Sequence, residues 1–467
     1  MKKMVLKVFS FALAVSMMCG LATGCGTKKT STNPDGKIQV RIGGWPTDAS
    51  QNELTLANAQ KAEFEKQNPD IEIIPDTYAY STDTFMVKAS ANQLPDMYCT
   101  FFTETQKIID QGFAEDITGI LAEIGWKEYI NPDVLPLLED KDGKIYGVPA
   151  DAYAQGIAIN KTLFKEAGLV DADGYAKVPK TWDEVIEFAK TIKEKTGKAG
   201  FAIPTTANCG GWHFINIAWD FGTTFMEEGS DGKYSATFDT DETKAALQLI
   251  KDMKWKHGIL PDNTVIDNNE LRKMYATNQV GMIILNPPFT DATMQYGMPI
   301  NTMASAAMPA GPAGRFAQMG GNVFMFAKGC DPDVIKAGLK WAEFQGKGPM
   351  ISDEQVKALE EKHRITNEEG GVVMNRDAFN VYENEDTISK KEQAASKYCN
   401  IDPKDYEDYF EFEGVQIKPE EPVCCQELYA TLDKCIQEVI TNENADVNKV
   451  ISDACKEFQT NYLDKNQ

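Results

Sequence analysis

The hydrophobic period changes twice within residues 38–74, and that switch constrains the fold more than any other feature. Ile38, Val40 and Ile42 alternate with polar residues and stop at Gly43-Gly44, as a half-buried strand does. Leu54, Ala57 and Phe64 then share one helical stripe, and Asn68-Pro69 closes that helix. Ile71, Ile73 and Ile74 return to strand. Strand, helix, strand at this spacing is a βαβ unit, which implies parallel pairing with helices covering the sheet. The class is therefore α/β. At 467 residues the chain exceeds one compact core, so two α/β lobes are expected.

The same alternation continues. Leu94-Pro95-Asp96-Met97-Tyr98 approaches a strand before Phe101-Phe102, and Asp142 to Pro149 is a turn feeding another. Gly156 to Asn160 is a strand running into a helix with Leu163 and Phe164. Thr181-Trp182-Asp183-Glu184 predicts a capping box; Trp182, Val185, Ile186, Ala189 and Ile192 form the buried face of its helix, and Gly197 lies past the end. Gly281 to Leu285 is a buried strand ending at Asn286, and Gly320-Gly321 leads into a strand over 322–328. Helices follow with Val334, Ile335, Gly338 and Trp341 on one face, with Leu428, Leu432, Cys435 and Val439 on another, and from about Asp446.

The first 24 residues read as a leader. Lys2, Lys3 and Lys7 precede an uncharged apolar run, Val8 to Met18, too short to span a bilayer. Leu21-Ala22-Thr23-Gly24-Cys25 resembles a bacterial lipobox, which implies a lipid on Cys25 and attachment to the outer face of the cell membrane. Residues 25–36 are polar and read as a flexible tether.

A net charge of −23 excludes nucleic acid as a partner, because phosphate binding needs a basic surface. Beyond Cys25, the eight cysteines 99, 209, 330, 399, 424, 425, 435 and 455 permit disulfides in an exported chain, with the pairing open. No C-x-x-C pair occurs and three histidines lack ligand spacing, so neither a metal site nor a cofactor is expected. Asp171-Ala172-Asp173-Gly174 lacks the later ligands of a calcium loop and reads as a turn. Gly311 to Gly314 is no phosphate loop. Glu227-Glu228 and Glu420-Glu421 read as solvated faces.

The order of these landmarks resembles the family 1 extracellular solute-binding proteins, the maltose-binding-like group. It is carried by Trp45 after the first strand, Asn68-Pro69, Leu94-Pro95-Asp96, Asp142 to Pro149, Asn160-Lys161 with Leu163 to Leu169, Pro179 to Glu184, Asn278 to Met282, Met308-Pro309 and Gly320-Gly321. The resemblance implies a two-lobed, type II periplasmic-binding-protein-like fold with the ligand in a hinged cleft. It implies capture of a sugar or oligosaccharide without covalent chemistry, delivery to the permease subunits of an ABC importer, and a monomer. On that architecture the first lobe maps to 37–149 plus 322–390 and the second to 150–321 plus 391–467.

A neutral sugar offers apolar ring faces and hydroxyls, so its cleft needs flat aromatics with amides and carboxylates at strand ends. Trp45, Tyr78 and Tyr80 follow the first two strands, and Phe101 or Phe102 lines the cleft while the other is core. Asp151 and Tyr153 stand where the chain crosses between lobes. Trp212 lies in a loop loosened by Gly210-Gly211, and Asn286 and Asn322 complete the set; Trp219 is expected in the core. A polyamine or peptide carrier, a ligand-sensing surface protein and a two-carboxylate glycoside hydrolase are the competing functions, though no catalytic signature supports the last.

Overall fold

The computed structural model describes residues 32–48, 51–82, 84–263, 265–377 and 379–465. The leader and Cys25 lie outside them. Two sheets organise the chain. The first contains β1 (Ile38–Ile42), β2 (Ile71–Pro75), β3 (Met97–Phe101), β4 (Gly147–Ala154), β11 (Phe316–Phe326) and β12 (Gln416–Pro419), in the order β12-β11-β3-β1-β2 with β4 also on β11. The second contains β5 (Gly156–Asn160), β6 (Ala199–Ala202), β9 (Val280–Ile284) and β10 (Met303–Ala307), in the order β10-β5-β9-β6. A small hairpin joins β7 (Met226–Glu228) to β8 (Tyr234–Ala236).

The βαβ unit forms as its pattern requires. β1 and β2 pair in parallel from Ile38–Ile71 to Ile42–Pro75, and the helix Gln51–Gln67 connects them. Val40 and Ile73 are fully buried, as is Phe64 on that helix. These residues seed one apolar core with Trp126 and Trp341, while a second gathers Phe164, Trp182, Phe201, Trp219 and Phe458. A third cluster, with Tyr275, Phe289 and Tyr406, covers the opposite face of the second sheet, so each sheet anchors its own apolar packing and the two sheets are the two lobes that chain length demanded.

The helix Trp182–Thr196 starts with Thr181 Oγ1 accepting from the Glu184 N–H at 3.2 Å. The Glu184 carboxylate bonds back to the Lys180 N–H at 2.6 Å, one residue before the cap, so the expected capping box is offset. Trp182 is buried and its indole donates to Asp220 at 2.8 Å; the other Asp220 oxygen accepts from the Phe316 N–H at 2.7 Å. Asp220 thus ties this lobe's core to the start of β11.

The chain passes between the sheets on continuous strands. β4 pairs with β11 throughout, then runs through Gln155 into β5 of the second sheet. The boundaries expected at 149/150, 321/322 and 390/391 fall inside β4, β11 and the helix Glu385–Ser396. The strand expected from Asn322 begins six residues earlier at Phe316, because Gly320-Gly321 is a site of close approach within it and not a break.

Residues 32–36, expected to belong to the tether, pack on the first lobe. Thr32 bridges Ile38, the Asn33 amide donates to Glu72 at 2.8 Å, and Asn33 Oδ1 accepts from the Asp35 and Lys37 N–H groups. An Asx turn therefore fixes 33–37 against the first lobe. All eight described cysteines are free thiols. No helix among the described residues is long and apolar enough to cross a membrane.

Candidate functional site

The crossing strands carry a row of side chains on one face. Asn322 of β11 sits opposite Phe101 of β3 on one side and Asp151 of β4 on the other, and paired residues share a face. The Asn322 amide donates to Asp151 Oδ1 at 2.7 Å, and Lys347 Nζ lies 3.0 Å from Asp151 Oδ2. Phe101 is 45% exposed, unusual for a phenylalanine, with its ring edge-on to Tyr80 at 5.8 Å. One step along, Tyr153 faces Gly320, where a β-carbon would stand 2.4 Å from the tyrosine hydroxyl. The missing side chain lets the ring lie over the strand. Tyr153 meets Trp212 edge-on at 6.2 Å and 85°. The next pair, Gln155 and Gln318, closes the row, joined by a backbone bond of 3.0 Å.

The second-lobe wall is the helix Cys209–Phe221. Trp212 lies in its first turn and not in a loop before it, a correction with a clear cause. A β-carbon at Gly211 would fall 2.3 Å from the Tyr429 carbonyl oxygen, and one at Gly210 would meet Pro204 and Asp433. The two glycines allow two helices to touch through their backbones. The Asp433 carboxylate, on the helix Cys425–Thr441, accepts from the N–H groups of Gly211 at 2.7 Å and Asn208 at 2.8 Å, capping the first helix from its neighbour. Half-buried Trp212 is thereby aimed at Tyr153.

Glu420 and Glu421 are half-buried and hydrogen-bonded, not a freely solvated face. Glu420 accepts from the Tyr429 hydroxyl at 2.8 Å and the Gln318 amide at 3.3 Å, and Glu421 accepts from the Trp219 indole at 3.3 Å. Burial pushes both carboxyls up to about 7. Their run follows β12, whose pairing with β11 draws it under the cleft. Glu227 and Glu228 are exposed, as expected.

On the first-lobe wall the Tyr80 hydroxyl bonds the buried Glu104 carboxylate, whose pKa is raised chiefly by burial. Lys107 lies 3.9 Å from both Glu104 and Glu427, and the Gln426 amide reaches Thr103 Oγ1 at 3.5 Å, so the helix Phe102–Asp110 touches the second lobe directly.

The structure brings together Tyr80, Phe101, Asp151, Tyr153, Trp212 and Asn322. Asn286 follows Leu285, whose N–H bonds the Gly156 carbonyl, and its own amide donates to the Pro287 carbonyl at 3.3 Å. Trp45 does not join them. It is 7% exposed and stacked on Trp341 at 5.9 Å, because the helix Pro332–Phe344 covers the end of β1. Phe102 is core, lying against Gly321 on the opposite face of β11. The half-buried Tyr78 ring packs on the first core beneath Lys88 Nζ, 5.0 Å from its centroid. Among the described residues no cluster of His, Cys, Asp and Glu is placed to hold a metal ion.

A family model for the bacterial extracellular solute-binding proteins matches residues 48–345, more than half of the chain. The chain belongs to that family. Among curated relatives of this solute-binding protein, a binding protein of Brucella abortus is 26% identical over 259 residues, 54% of this chain and 59% of the relative. The melibiose/raffinose/stachyose-binding protein MelE of Bacillus subtilis is 27% identical over 188 residues, 40% of each chain. The chain thus spans 59% or less of the length of these two relatives. Maltose-bound MalE3 of Thermotoga maritima superposes with a TM-score of 0.66 at 21% identity, covering 90% of this chain and 99% of that one. These structures show the fold: two-lobed, type II and α/β.

Sequence reasoning about this solute-binding protein missed Gln155, Gln318, Glu104 and Glu420. Gln318 carried a usable signal, standing two residues before Gly320 and hence on the same strand face. Glu420 carried none, since its burial depends on a strand pairing formed 100 residues away in sequence, between Met319 and Pro419.

Proposed function

We propose that this chain captures a sugar or oligosaccharide in the cleft between its lobes and delivers it, chemically unchanged, to the permease subunits of an ABC importer. On this reading it works as a monomer, held to the outer face of the cell membrane by a lipid on Cys25, with lobes 37–149 plus 322–390 and 150–321 plus 391–467 hinged on β4–β5 and β11. The row Phe101, Asn322, Asp151, Tyr153 and Trp212 carries the proposal. Aromatic faces alternate there with an amide and a carboxylate, which is what sugar C–H faces and hydroxyl pairs require. Family membership supports capture over catalysis.

The test is a thermal-shift screen over neutral and acidic oligosaccharides, peptides and polyamines. A ligand at a hundred times its Kd adds about 2.7 kcal/mol, a rise in Tm of roughly 5–10 °C for lobes of this size. Phe101→Ala with Trp212→Ala should abolish that rise. A hit among polyamines or peptides alone would refute the carbohydrate reading.

A further inference from the structure

We infer that the end of the row is a hydroxyl-reading subsite, in which the side-chain amides of Gln155 and Gln318 bind neighbouring hydroxyls of a terminal sugar ring. The inference rests on the carbohydrate reading above and names residues that select among sugars.

Gln155 and Gln318 lie opposite one another, the Gln155 N–H donating to the Gln318 carbonyl at 3.0 Å. Gln155 stands two residues beyond Tyr153 and Gln318 two before Gly320, so both share the face that carries Asp151, Tyr153 and Asn322. The other face is taken. The Tyr409 hydroxyl donates to the Ala154 carbonyl at 2.7 Å, and a β-carbon on Gly156 would fall 2.7 Å from the Tyr409 ring. The helix Cys209–Phe221 covers the row from the second lobe. Asn216 Oδ1 accepts from the Gln318 N–H at 2.8 Å, and Trp212 and His213, one turn earlier, share the face of Asn216.

Gln155 is wholly buried, yet neither its amide nitrogen nor its carbonyl oxygen has a hydrogen-bond partner among the described residues. Gln318 is equally buried. Its Nε2 donates to the Tyr429 hydroxyl at 2.6 Å and to Glu420 at 3.3 Å, which turns Oε1 away from them, and that oxygen is unpartnered too. Both ring nitrogens of buried His213 are in the same condition. Buried polar groups are costly to leave unpaired, and here they cluster beside the Tyr153–Trp212 pair, where a sugar ring would rest. The Gln155 amide can donate to one ring hydroxyl and accept from its neighbour, while Gln318 Oε1 accepts from a hydroxyl as well. Nothing extends past wholly buried amides, so the ring they read is the last of its chain. The lobes touch at Thr103 and Gln426, so the sugar enters with them apart and closure seals its hydroxyls against the amides.

Titration calorimetry on the full chain tests this with cellotriose, mannotriose, xylotriose and trigalacturonate, and with terminal-ring monodeoxy forms of whichever binds. Gln155→Met keeps the length of the side chain and removes both polar atoms. It should weaken binding at least about tenfold without lowering the ligand-free Tm, because methionine loses no bond that the folded protein makes. One monodeoxy analogue should bind wild type that much more weakly and bind Gln155→Met no worse than the parent sugar does. Undiminished affinity in Gln155→Met, or equal losses from every monodeoxy analogue in both proteins, overturns the inference while the carbohydrate reading stands. A fall in ligand-free Tm also overturns it, since the amide would then be satisfied within the fold. Failure of wild type to bind any of the four trisaccharides sinks both.

Discussion

Replacing Gly211 with alanine separates two accounts of the Gly210-Gly211 pair. If the pair loosened a loop, alanine would stabilise the protein by about 0.4–1 kcal/mol through a less flexible unfolded chain. The structure demands the opposite. The new methyl would lie 2.3 Å from the Tyr429 carbonyl oxygen and 2.5 Å from its Cα, more than 1 Å inside ordinary contact, and backbone has no rotamer to move aside. Overpacking costs about 1–3 kcal/mol, and a backbone neighbour places this case near the upper end. Alanine's helix propensity returns about 1 kcal/mol, leaving a net loss of about 2 kcal/mol and a fall in Tm of roughly 4–8 °C. Gly119 provides the control. It lies in the helix Thr118–Ile124 with nothing within 4 Å of its virtual β-carbon, so Gly119→Ala should gain about 0.5–1 kcal/mol. Urea denaturation of both variants decides the matter. A Gly211→Ala protein as stable as wild type would mean that the two helices do not meet as described.

Trp45→Ala should cost about 3–5 kcal/mol of stability, as loss of a buried ring does, and leave ligand affinity within a factor of two or so; a selective loss of affinity would return Trp45 to the cleft. The Glu420 carboxyl, raised to about 7 in the fold, favours the folded state fully below its unfolded value near 4.5, and that stability is lost as pH rises through about 7. The loss amounts to about 3 kcal/mol, so Glu420→Gln should flatten the decline in denaturation free energy between pH 5 and 8, and an unchanged slope would refute it. Cys25→Ser should release the protein into the medium or periplasm; unchanged membrane retention, followed by fractionation, would refute lipid attachment.

How much of the site was legible depended on sequence distance. Tyr153 and Asp151 announce themselves locally, in a strand that leaves Pro149 and alternates toward Gly156. Trp45 shows the same local cues, a strand end and two glycines, yet Trp341 covers it from nearly 300 residues away in sequence. Trp212 was misplaced for a related reason: glycine permits both a turn and a close approach, and only the Cys425–Thr441 helix decides between them.

The sequence by itself determined the α/β class, the βαβ unit at 38–75, the Trp182 helix and its cap, and the need for more than one core, because periodicity and capping act over a few residues. Tertiary structure alone decided which aromatics face the cleft, which carboxylates are drawn away from solvent, and where Lys347 meets Asp151. Burial and charge proximity depend on neighbours brought in by strand pairing and helix docking, and no local pattern records them.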